Sequence, residues 1–86
     1  MHNVVSLSAF KKVHIPYGMV RAEVNNDSVV LSFPRTERPD MTVAKDSLPS
    51  WFLAKIVYIE ERVSFGEACE HGSRMGDNVF YINCEA

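Results

Sequence analysis

Between Ser50 and Val63 the apolar residues change their spacing. Phe52, Ile56, Ile59 and Val63 recur at i, i+4, i+7 and i+11, which puts them in one narrow sector of an α-helix that turns about 100° per residue. The segments on either side repeat every two residues instead. That switch of period points to an α+β chain, in which one helix lays an apolar stripe on a sheet of half-buried strands. Asp46-Ser47-Leu48-Pro49 predicts the helix start, with a capping side chain ahead of a proline that fits a first helical turn. A competing reading takes KIVYIEERV, residues 55–63, as a strand, because Ile-Val-Tyr-Ile is rich in β-formers.

The clearest strand is MVRAEV, 19–24, where Val20, Ala22 and Val24 alternate with Met19, Arg21 and Glu23. The polar turn NNDS follows, and then Val29, Leu31 and Phe33 share a face, so the pair reads as a hairpin. Residues 3–8 and 12–17 are weaker strand candidates; Pro16 removes a ladder donor from the second. Pro34 and Pro39 mark 34–40 as a loop, and 41–44 reads as a short edge strand. Gly66, Gly72, Gly76 and Asp77-Asn78 predict a flexible connection. VFYINC, 79–84, closes the chain as a strand with Phe80, Ile82 and Cys84 on one face. The expected fold is therefore β-β-β-α-β: an antiparallel sheet of about four strands with one principal helix packed on one face. At 86 residues a chain buries only roughly 60 to 65% of its unfolded surface. One domain over 1–86 is all that such a core supports.

Charge and hydropathy narrow the function. Nine Lys/Arg against eleven Asp/Glu, scattered to a net charge of -2, provide no field for non-specific nucleic-acid or anionic-membrane binding. The two lysines of MHNVVSLSAFKK follow its apolar stretch rather than precede it, unlike a secretory signal. The longest nearly apolar run, 51–59, is interrupted by Lys55 and falls far short of the roughly 20 residues that span a bilayer. Two cysteines allow one disulfide, whereas small secreted scaffolds depend on more. The expected location is cytoplasmic, with reduced thiols and no membrane association.

Residues 69–84, CEHGSRMGDNVFYINC, hold the only concentration of chemistry-bearing side chains. Zinc asks for four ligands, mostly in closely spaced pairs. Cys69, His71 and Cys84, with His14 or Asp77 as a fourth, lack that spacing, so the cysteines read as buried apolar residues and no metal is expected. Glu67 and His71 stand four apart and would share a helix face as a base and its orienting carboxylate, but Gly66 and Gly72 bracket the turn that carries them. There is no G-x-S-x-G elbow, no phosphate loop and no G-x-G-x-x-G. Neither an enzymatic activity nor a cofactor is expected.

The helix carries a second stripe: Trp51, Lys55, Tyr58 and Arg62, again at i, i+4, i+7 and i+11, expected opposite the core stripe. Trp, Tyr and Arg combine large contact area with a polar end and dominate interface hot spots. The leading expectation is a small binding protein that docks a protein partner through this stripe, as an inhibitor, adaptor or regulatory subunit does; a phage or mobile-element protein is compatible with that size. The alternative is a nucleic-acid-binding regulator that adds Lys11, Lys12, Arg35 and Arg38 to the same aromatics. A homodimer through the helix is the third. Whether Trp51 and Tyr58 are left open depends on where residues 64–78 run.

Overall fold

The computed structural model describes residues 12–85. Its elements are β1 (Met19–Val24), β2 (Ser28–Ser32), β3 (Met41–Ala44), a 3-10 turn (Lys45–Ser47), α1 (Ser50–Arg62), β4 (Ala68–Cys69), β5 (Gly72–Arg74) and β6 (Val79–Asn83). The strands form one sheet in the order β3-β2-β1-β6-β5-β4, with every neighbouring pair antiparallel. Two three-stranded meanders are thus joined along β1 and β6, and α1 is the connection between them.

The α+β class holds, but the sheet has six strands where about four are expected. The additional pair comes from 64–78, which the glycines suggested to be a connection only. Two short strands fit there because the polar residues around them are satisfied by one another: Gly66 N–H donates to Arg74 O at 2.7 Å and Arg74 N–H to Glu67 O at 3.0 Å. The order among the described residues is therefore β-β-β-α-β-β-β. Residues 12–17 form no strand; instead Val13 N–H donates to Ser47 O, and Ile15 is buried. The candidate strand 3–8 lies outside the described residues.

The helix reading of 55–63 prevails over the strand reading because Phe52, Ile56 and Ile59 all bury on one side. An extended 55–63 would turn alternate residues of that set away from the sheet. The proposed cap does not form. Pro49 itself is the N-cap, and its carbonyl accepts from Phe52 N–H and Leu53 N–H, while Asp46 and Ser47 belong to the preceding 3-10 turn.

Register builds the core. Val20 pairs with Ile82 and Ala22 with Phe80 across β1 and β6, while Ala22 also faces Leu31 on β2. Side chains of directly opposed residues lie on the same face, so these rows make one apolar floor. Phe52, Ile59 and Leu48 close over it with no exposed surface, and Ile56, Val63 and Cys84 complete the cluster. Cys84 thus packs beside Ile82 in the core. The opposite face of the sheet carries alternating residues such as Arg21, Ser32 and Tyr81, all half-buried, with Arg21 3.8 Å from Glu23. No helix of the described residues is long and apolar enough to cross a membrane.

Candidate functional site

The second helix stripe is not opposite the first. Each of Trp51, Lys55, Tyr58 and Arg62 precedes a buried residue by one position, which is about 100° around the helix and not 180°. The stripe therefore runs down one flank of α1, low enough for its side chains to reach the sheet's rim. Lys55 Nζ donates to Asn83 O at 2.6 Å, tying the helix to the end of β6. Tyr58 meets the His71 ring edge-on, with centroids 4.6 Å apart. The 64–78 segment thus touches Tyr58 through His71.

Both aromatics remain open, Trp51 at 44% and Tyr58 at 37% exposed. Each is also paired with the cation one turn further along the helix: Lys55 Nζ stands 5.9 Å from the Trp51 ring and the Arg62 guanidinium 5.0 Å from the Tyr58 ring. The i, i+4 spacing makes these contacts, since residues four apart are neighbours on a helix surface. The result is a continuous ladder of two flat rings and two positive charges.

At its Trp51 end the ladder opens into a groove of about 580 Å³. Ile15, Tyr17, Trp51 and Lys55 line it together with the buried Cys84. His14 and the exposed Glu85 complete its lining. Tyr17, 79% exposed, also borders an adjoining cleft that contains Arg35. Tyr17 is the residue missed in the sequence. No periodicity announces it, because 12–18 has no regular structure and reaches the helix only through the fold, Cys84 N–H donating to Gly18 O at 2.8 Å.

The cations considered for nucleic acid are dispersed. Lys12 Nζ donates to Asp46 O at 2.7 Å, and Arg38 lies over the Phe33 ring at 4.9 Å. Only Arg35 approaches the groove, through Tyr17. Lys11 lies outside the described residues.

The cysteine-rich stretch is divided by the fold. Cys69 sits on β4, His71 in the turn to β5, and Cys84 beyond β6 facing the core. His71 Nε2 is 3.6 Å from Glu70 Oε2, and both cysteines are free. Among the described residues no three His, Cys, Asp or Glu side chains come together as metal ligands. Glu67 and His71 do not share a helix face either, because they stand at opposite ends of the short strand β4.

Burial pushes the Cys84 thiol up from 9.0 to about 11, with the Lys55 ammonium opposing. In the unfolded chain the thiol releases its proton near pH 9, while in the folded chain it holds that proton up to about pH 11. The unfolded state thus binds fewer protons between those limits, and stability falls as pH rises through them. Urea midpoints from pH 8 to 11 are expected to fall more steeply for the wild type than for Cys84→Ala; parallel slopes would show that the thiol stays accessible to water.

These features define a small α+β protein with a one-sided sheet and an aromatic-cationic helix flank. Compared with protein-family models, curated proteins and solved structures, the chain finds no significant match in any of the three.

Proposed function

We propose that the protein is a non-enzymatic binding module that docks a protein partner along the flank of α1 through Trp51, Lys55, Tyr58 and Arg62. The observation that carries this reading is the ladder itself: two half-exposed rings, each with a cation alongside, leading into an apolar groove. Large rigid rings lose little conformational entropy on docking, and a guanidinium or ammonium beside them can pair with acceptors at the rim. The face is set on the rigid part of the molecule. The helix is held by the core on one side and by the Lys55 to Asn83 bond on the flank, so the anchors are ordered before the partner arrives.

A nucleic-acid partner is the second reading, favoured by Arg35 sharing a cleft with Tyr17 next to the groove. Salt separates the two. Phosphate contacts weaken steeply with ionic strength, whereas an interface anchored on Trp51 and Tyr58 weakens modestly.

The test is affinity capture with the wild type beside a Trp51→Ala, Tyr58→Ala, Arg62→Ala triple variant whose circular dichroism matches it. These side chains lie outside the core, so the variant is expected to fold and to lose the captured protein. Equal recovery by both forms refutes the reading. Recovery of nucleic acid that vanishes between about 50 and 200 mM salt replaces it with the second.

A further inference from the structure

We propose that the groove at the Trp51 end of α1 receives a carboxylate of the protein partner on Lys55, with the flat apolar side chain beside that carboxylate packed against Trp51 and Tyr17. This rests on the protein-docking reading and specifies the chemistry of the occupant.

Lys55 supplies the charge. Its ammonium has three N–H donors, and one is taken by Asn83 O at 2.6 Å. None of the ion pairs among the described residues involves Lys55. Glu85 lines the same groove but is exposed and makes no such pair. A half-buried ammonium beside apolar walls is poorly hydrated, and an arriving anion replaces water there at little cost. The field of this ammonium is felt inside the groove, since it pulls the Cys84 thiol against the effect of burial.

The walls supply the shape. Ile15, Tyr17, Trp51 and the Cys84 side chain are apolar or aromatic, and a cleft of this kind takes a flat hydrocarbon group as readily as it rejects a fully hydrated one. A phosphodiester backbone requires a row of cations, and among the described residues Lys55 is the single lysine or arginine in the lining. One negative charge joined to one apolar body is the complement of one ammonium in an apolar cleft. In a protein partner that is an Asp or Glu, or a chain-terminal carboxylate, next to an aromatic residue.

The experiment uses the full chain and two small probes, 3-phenylpropionate and its neutral amide. Trp51 is the one tryptophan, so its fluorescence reports the groove directly, and backbone amide shifts of Ile15, Tyr17 and Lys55 locate the contact. The acid is expected to bind saturably at these residues and about fivefold more tightly than the amide, the equivalent of one half-exposed ion pair. Lys55→Gln, which keeps a donor for Asn83 O, is expected to bring the acid down to the level of the amide, and Lys55→Arg to restore the difference. Equal binding of acid and amide, shifts located elsewhere, or no binding overturns the proposal. So does a Trp51 signal that changes with protein concentration in the absence of probe, because the groove is then the seat of a second copy. Partner capture that survives the triple variant while the acid still binds at Lys55 overturns the docking reading alone; capture that is lost in the triple variant while the probes fail overturns the carboxylate alone.

Discussion

Gly72→Ala is expected to lower stability by about 4 kcal/mol or more, a large part of the roughly 5 to 15 kcal/mol that holds a native domain together. Gly72 opens β5 with φ at +146°, a conformation that side chains disfavour. Its burial is complete enough that space matters as well: a Cβ built there overlaps the Tyr81 carbonyl of β6 and stands 3.1 Å from Ile59 Cδ1 of α1. The β6 backbone at Tyr81 would have to move, whereas the Ile59 side chain need give only a few tenths of an ångström. Gly18 serves as the control. Its φ is +116°, yet nothing lies within 4 Å of a Cβ placed on it, so Gly18→Ala carries only the backbone strain, about 1 kcal/mol. Thermal melts of the two variants beside the wild type check this. A Gly72→Ala melting temperature within a few degrees of Gly18→Ala would show that the β6 backbone does not press on Gly72.

That close approach explains much of what the sequence concealed. Gly72 reads as punctuation in a loop, because glycine is common where chains turn. Its actual use is to let the Tyr81 carbonyl of β6, and behind it the tip of Ile59, come against the β5 backbone, and no local pattern distinguishes the two. Strands of two and three residues, such as β4 and β5, are too short to display an alternation. By contrast, MVRAEV and the hairpin after it span enough residues for period 2 to show, and Phe52, Ile56 and Ile59 cover two turns of period 3.6. Those elements were legible because each carries its own periodicity. The geometry of the candidate site was legible by half. Trp51, Lys55, Tyr58 and Arg62 form a ladder that the i, i+4 spacing alone predicts, but the groove needs Tyr17 and Ile15, which come from 12–18 with no regular structure. Their placement is a tertiary fact, set by Ser47 O and Gly18 O bonding across the fold.

Arg74 was equally hidden, since one arginine after a glycine turn looks like any solvated cation. It holds the end of α1. From the core side of β5 its Nη1 donates to Glu60 O at 3.0 Å and to Val63 O at 3.3 Å, in and just beyond the last turn of α1. Its Nε reaches Gly76 O and its Nη2 reaches Asp77 O, so one fork joins the helix end to the β5–β6 turn. The guanidinium also lies 4.7 Å from the Phe65 ring and 5.8 Å from the Phe80 ring, and the side chain is only 15% exposed. Carbonyls at a helix C-terminus have no partner within the helix, and a cation there also meets the negative end of the helix dipole. Arg74→Ala removes all of these bonds together and strands Val63 O beside the buried Val63, for an expected loss of about 3 kcal/mol. A domain of 60 to 100 residues shifts its melting temperature by roughly 4 to 8 °C per kcal/mol, so a fall on the order of 12 to 24 °C is expected. Arg74→Lys should recover little of it, because a single ammonium cannot span the helix end and the turn at once. The sharper measurement is hydrogen exchange. In Arg74→Ala the amides of residues 58–62 are expected to lose protection before those of β1 and β2, since the fork acts at the helix end. Uniform loss across the sheet and helix, or a melting temperature within about 4 °C of the wild type, would show that the carbonyls are as well served by water and that Arg74 is a surface residue after all.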